Sequence, residues 1–141
     1  MSVLVGLLVS DGFYFIWRWK FARGFLSELF FVVRDSYPVT KYHTLIIPHR
    51  HVSNFFDLYD DELNDLNKIL KKQRQLLLSL DKEITAFNVG VNAGKDAGQS
   101  IMHCHVHLIP RRKGDIENPR GGVRGVIPSK QKYNKWIKII F

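Results

Sequence analysis

Residues 102–110 read MHCHVHLIP, in which His103, His105 and His107 alternate with Cys104 and Val106 and the run closes on Pro110. In a strand, side chains at i, i+2 and i+4 point to one face, so the pattern predicts three imidazoles in a row. At a rise of ~3.3 Å per residue the outer two stand about 13 Å apart. A zinc–nitrogen bond is about 2.1 Å, so one ion cannot take all three without a sharp bulge, although a neighbouring pair can share one. A structural row, a metal pair and a catalytic set are the readings open at this point. Imidazole is bulky and wants partners when buried, which counts against a purely structural triplet.

The stretch upstream favours catalysis. AGKDAGQS, residues 93–100, is a glycine-rich loop. Such loops let backbone N–H groups approach phosphate oxygens. Asn92, Gln99 and Ser100 add neutral donors, and Ser100 can also serve a bridging oxygen. A neutral imidazole, with an ordinary pKa of about 6.5, is a competent nucleophile toward phosphorus. It needs its other ring nitrogen held by an acceptor, which fixes the tautomer. A second histidine beside it can contact the phosphate. The constellation suits transfer of a phosphoryl or nucleotidyl group through a phosphohistidine.

Working outward, ELFFVVRD (28–35) and HTLIIP (43–48) read as strands, separated by a turn at Asp35-Ser36-Tyr37-Pro38. Residues 53–61 lead into a helix. Leu63, Leu66, Ile69, Leu70, Gln73, Leu76 and Leu77 follow helical spacing, with Lys68, Lys71, Lys72 and Arg74 toward solvent. Asp60, Asp61 and Glu62 stand at its start, where the helix dipole favours negative charge. ITAFNVGVN (84–92) alternates as a third strand, and 102–110 forms the fourth. This order predicts one α+β domain built on an antiparallel sheet.

The chain has 141 residues, 45% of them apolar and 24% charged, enough for one domain with a real core. Its single cysteine, Cys104, excludes an internal disulfide and any zinc site made from two cysteines of this chain. A reducing, cytoplasmic setting is the natural expectation. The first ten residues are apolar but too short to span a bilayer, and they carry none of the positive charge with which a secretory signal opens. Residues 13–25 mix seven aromatics with Arg18, Lys20 and Arg23 and are expected to pack on the domain as a strand or helix, the alternative being an interfacial membrane segment. The net charge of +8 is uneven: +2 over residues 1–27, −1 over 28–110 and +7 over 111–141. The basic C-terminal stretch reads as a solvated surface that also attracts phosphates. It lacks regular interleaving with aromatics, which argues against a nucleic-acid surface.

HCHVHLIP resembles the His-φ-His-φ-His-φ-φ signature (φ apolar) of the histidine triad nucleotide hydrolases and transferases. RDSYPVTKYHTLIIPHRHV, NVGVNAGKDAGQS and RRKGDIENPRGGVRGVIP resemble the bacterial subgroup described as diadenosine tetraphosphate hydrolase-like. The resemblance covers about residues 28–130. It implies a compact α+β fold that dimerises through its helix and a shared sheet. The chain then divides into a divergent segment 1–27, a histidine triad domain 28–112 and a basic tail 113–141.

By position, the resemblance makes His105 the nucleophile, with His107 on the α-phosphate. His43 and His103 complete the catalytic set. Asn92, Gly98, Gln99 and Ser100 would bind phosphate, with Ser100 near the leaving group. Asp35 would hold ribose hydroxyls and Ser36 would lie beside the nucleoside, although an Asp in a turn signal also reads as a plain turn former. The substrates implied are dinucleoside polyphosphates or nucleoside phosphoramidates. No cofactor is required, and Mg²⁺ is an optional companion of a polyphosphate. Many relatives bind zinc through an N-terminal Cys-x-x-Cys and two histidines. His51 and His103 match those histidines and are its remnants, and the cysteines have no counterpart here. The competing readings are a nucleotide-binding module without turnover and a basic nucleic-acid-binding protein.

Overall fold

Apolar alternation along each strand decides which face turns inward. In β1 (Phe30–Arg34), Phe30 and Val32 are buried, while Phe31 and Val33 are half-buried on the other side. β2 (Thr44–Pro48) buries Thr44, Ile46 and Pro48 in the same rhythm. The computed structural model describes residues 27–132. The aromatic stretch at 13–25 and the tail beyond residue 132 lie outside the described residues.

The 21-residue helix α1 (Asp60–Leu80) follows, then β3 (Ile84–Gly90) and β4 (Val106–Arg112). The strands form one antiparallel sheet in the order β1-β2-β4-β3. α1 covers one face. Leu66 and Ile69 join Phe30, Val32, Ile46, Val52, Leu58, Cys104 and Val106 in the main core. Leu77 closes a second cluster with Ile84 and Leu108.

The helix face is rotated slightly from the one read in the sequence. Leu63 and Leu76 are exposed, and the buried stripe is Glu62, Leu66, Ile69, Gln73 and Leu77. Glu62 tolerates burial because Arg50 grips it through Nε (3.0 Å) and Nη2 (2.7 Å) while Tyr59 N–H caps it at 2.8 Å. The Arg50 guanidinium thereby holds the Glu62 carboxyl below the usual range.

The fourth strand starts at Val106 rather than at Met102, and the third stops at Gly90 rather than Asn92. Residues 101–105 leave the ladder because their polar groups are engaged elsewhere. Cys104 N–H donates to Val52 O at 2.7 Å, and the His103 ring meets Pro48 O at 2.9 Å. Beyond β4 the basic stretch is folded in part: a tight turn at Gly122–Val126 leads into α2 (Pro128–Gln131), a single helical turn. Among the described residues, no helix is long and apolar enough to cross a membrane.

Candidate active site

β4 buries Val106, Leu108 and Pro110 beneath α1, so His107, Ile109 and Arg111 stand on the opposite, open face. Residues paired across an antiparallel ladder share a face, which brings Leu45 of β2 and Gly90 of β3 beside His107. The open face is therefore lined by half-buried apolar side chains such as Leu45 and Ile109, with His107 among them.

His105 stands immediately before β4. Its Nδ1 lies 2.8 Å from the carbonyl oxygen of His103. A carbonyl only accepts, so Nδ1 carries the proton and Nε2 of the neutral ring keeps its lone pair. The His105 and His107 rings meet edge-on, with centroids 5.1 Å apart.

His43 precedes β2 and is almost fully buried. Its Nε2 is 3.0 Å from His107 Nδ1, and its Nδ1 is 3.3 Å from Asp35 Oδ2. The backbone N–H of Val39 approaches the same Nδ1 at 3.3 Å. Burial lowers the His43 pKa, and the neighbouring Asp35 charge opposes that fall. Burial pushes His107 down to about 4, with His105 and His43 adding repulsion. His107 is thus neutral at pH 7. Asp35 also forms a local turn, accepting from Tyr37 N–H at 2.8 Å, as a turn-forming Asp does. The residue just before His43, Tyr42, has φ +71°, a left-handed conformation that costs a non-glycine residue about 1 kcal/mol or more.

His103 departs from the row. Its Nε2 donates to Pro48 O, which leaves Nδ1 as the acceptor facing His51 Nδ1 at 3.2 Å. The expectation of three histidines in register is corrected to a pair, His105 and His107, with His103 turned to a second pair with His51. Gln99 is also placed differently from a phosphate donor. Its Oε1 accepts from Gly94 N–H at 2.8 Å and its Nε2 donates to Ser53 O and Ile101 O, so the amide braces the loop. Gly94 (φ +95°) and Gly98 (φ +88°) bracket a tight turn in that loop, where the left-handed backbone favours glycine. Asn92 lies against Gly98, while Ser36 and Ser100 are exposed.

Two groupings invite a metal. Asp35, His43 and His107 offer donor atoms within 4.8 Å of one another. The His43 ring turns Nδ1 to one partner and Nε2 to the other, so hydrogen bonds account for this line. His51 and His103 supply two nitrogens where a closed zinc site needs four ligands. Cys104 points into the core, and its burial raises the thiol to about 11. The described residues do not fit the structural zinc of the family.

One residue on the open face, Asn88, escaped the sequence reading. Asn88 pairs with Ile109, and its Oδ1 accepts from Arg111 Nη1 at 2.7 Å. The alternation of β3 was the available signal, since it puts Asn88 on the histidine side.

The HIT domain family model matches residues 25–114, more than half of the chain, and the chain belongs to that family. It is 42% identical over 86 residues to the nitrilase and fragile histidine triad fusion protein NitFhit of Caenorhabditis elegans, covering 61% of this chain and 19% of that protein. It is 40% identical over 79 residues to the asymmetrical bis(5'-nucleosyl)-tetraphosphatase of Schizosaccharomyces pombe, covering 56% of this chain and 43% of that one. A zinc-bound histidine triad family protein from Mycobacterium smegmatis superposes with a TM-score of 0.61 at 28% identity, over 67% of this chain and 68% of that chain. The chain thus spans about a fifth and under half, respectively, of the two curated relatives' lengths.

Proposed function

We propose that this chain is a nucleotide hydrolase or nucleotidyl transferase that works at the α-phosphate of dinucleoside polyphosphates or nucleoside phosphoramidates. The observation that carries the reading is the 2.8 Å contact of His105 Nδ1 with the His103 carbonyl, because it leaves Nε2 as an oriented lone pair. In the first step Nε2 attacks phosphorus, a P–N bond forms and the bond to the leaving group breaks. Water or another acceptor then adds at phosphorus, the P–N bond breaks, and the acceptor's proton is released. His107, neutral and beside the nucleophile, contacts the α-phosphate. Asp35, Ser36, Asn92 and Ser100 surround the nucleoside and its phosphates. Mg²⁺ accompanies a polyphosphate without entering the bond-breaking step.

The working unit is a cytoplasmic homodimer. Leu76 and Leu80, four residues apart on α1, are exposed, and β3 is an edge strand whose Val89 is exposed, so helix and sheet edge both offer surface to a second copy. Sedimentation showing only monomer at tens of micromolar overturns that part.

The test of the activity is a panel of dinucleoside polyphosphates and adenosine phosphoramidates with product identification. His105→Ala should abolish turnover while nucleotide affinity stays within about tenfold, since a covalent nucleophile acts mainly in the transition state. More than a few per cent residual turnover refutes the assignment. Binding without any turnover by the wild-type chain selects the non-catalytic nucleotide module instead.

A further inference from the structure

The family match ends at residue 114, yet residues 121–131 are folded and sit against the site's own sheet. The lobe closes on itself. Arg124 donates through Nε (3.2 Å) and Nη2 (2.9 Å) to Lys130 O. Gly121 has φ +73°, and a Cβ there would lie 2.1 Å from Gln131 O, so this position requires glycine.

The lobe also docks on the open face. A Cβ on Gly122 would lie 3.4 Å from Asn88 Nδ2, so the backbone rests on that amide. Asn88 is held in turn by Arg111, whose Nε and Nη2 grip both oxygens of Asp115 at 2.8 and 2.7 Å. Asn88 lies two residues along β3 from Gly90, the partner of His107. At ~3.3 Å per residue, that sets the docking point roughly 7 Å along the sheet from the histidine pair.

The lobe's chemistry is two-sided. Residues 118–132 carry Arg120, Arg124, Lys130 and Lys132 and no carboxylate. Val123, Val126 and Ile127 are exposed beside them. Cations next to apolar side chains match a base joined to a chain of phosphates.

We infer that the Gly121–Gln131 lobe is the subsite for the departing half of the substrate, a nucleoside polyphosphate, so that the site selects dinucleoside polyphosphates over phosphoramidates with small leaving groups. This rests on the reading of the histidine pair as the centre for α-phosphate chemistry. It adds what lies on the far side of the bond to be broken.

The test measures binding, which is independent of turnover. The full-length chain is titrated with AMP, which fills only the α-phosphate half, and with a methylene-bridged, non-hydrolysable diadenosine tetraphosphate. The wild type should bind the long ligand at least tenfold more tightly than AMP at 50 mM salt, and that margin should shrink at 500 mM as screening rises. Arg120→Gln combined with Lys130→Gln and Lys132→Gln should bring the margin to within about threefold and leave AMP affinity unchanged. Gly121→Ala, which opens the lobe without removing charge, should do the same. The inference is overturned if the wild type shows no margin, or if the margin survives in the charge variant. A margin that behaves as expected in a chain without turnover leaves the subsite standing and removes the hydrolase reading. Turnover with an unaffected margin does the reverse.

Discussion

Lowering the pH from 7 to 4.5 should destabilise this fold through His107 in particular. An unfolded imidazole takes up a proton near pH 6.5, whereas folded His107 resists until about pH 4. Between those values the unfolded state holds more protons, so stability falls as pH falls, and the contribution levels off below pH 4. A one-unit shift is worth about 1.4 kcal/mol, so His107 accounts for about 3 kcal/mol at most across that window. His107 is half-buried, and solvent relaxation reduces this to about 2 kcal/mol. His43, also shifted down by burial, adds to the same trend. Urea unfolding of the wild type and of His107→Gln at pH 7, 5.5 and 4.5 isolates the effect. Acidic groups such as Glu62 and Asp115, held low by arginines, contribute equally to both proteins and cancel in the difference. The wild type should lose about 1–2 kcal/mol more than the variant over this range. Parallel pH profiles would show that His107 is not held neutral by its surroundings.

Leu77→Ala, at a fully buried position linking α1 to β3 and β4, should cost about 3 kcal/mol, read as a lowered urea midpoint with unchanged slope. Dialysis against EDTA should remove any zinc and leave the melting temperature within a degree or two, because His51 and His103 alone do not make a closed site; stoichiometric retained metal refutes this. Cys104, buried and with its thiol raised to about 11, should react with a thiol reagent at pH 7.5 only after denaturant is added.

The strands and the helix were legible because their patterns are periodic. Phe30, Val32, Ile46, Leu66, Ile69 and Leu77 all fall where spacing puts them. What failed is instructive. Alternation continues through residues 102–105, but the chain there is held by Val52 O and Pro48 O, contacts about fifty residues distant in sequence that no local pattern encodes. Leu63 and Glu62 exchange places for a similar reason, since Arg50 makes burial of the carboxylate tolerable. Of the site, His43, His105, His107 and Asp35 converge. Gln99 does not join them, because a glutamine that binds a ligand and one that braces a loop have the same letter. The docking of Gly122 on Asn88 depends on tertiary approach and left only a glycine pair as a trace.

The peptide joining His103 to Cys104 has a consequence for how this chain can change. A peptide unit is a rigid plate. Here one edge is tied through the His103 ring to Pro48, the other through the Cys104 amide to Val52, and the carbonyl between them aims the His105 ring. Tilting that plate by a few degrees re-aims the His105 ring without altering either histidine of the pair. Substitutions at Val52, beyond the end of β2, or around Pro48, its last residue, therefore shift the aim of the His105 ring, and such a shift originates in residues outside the histidine pair.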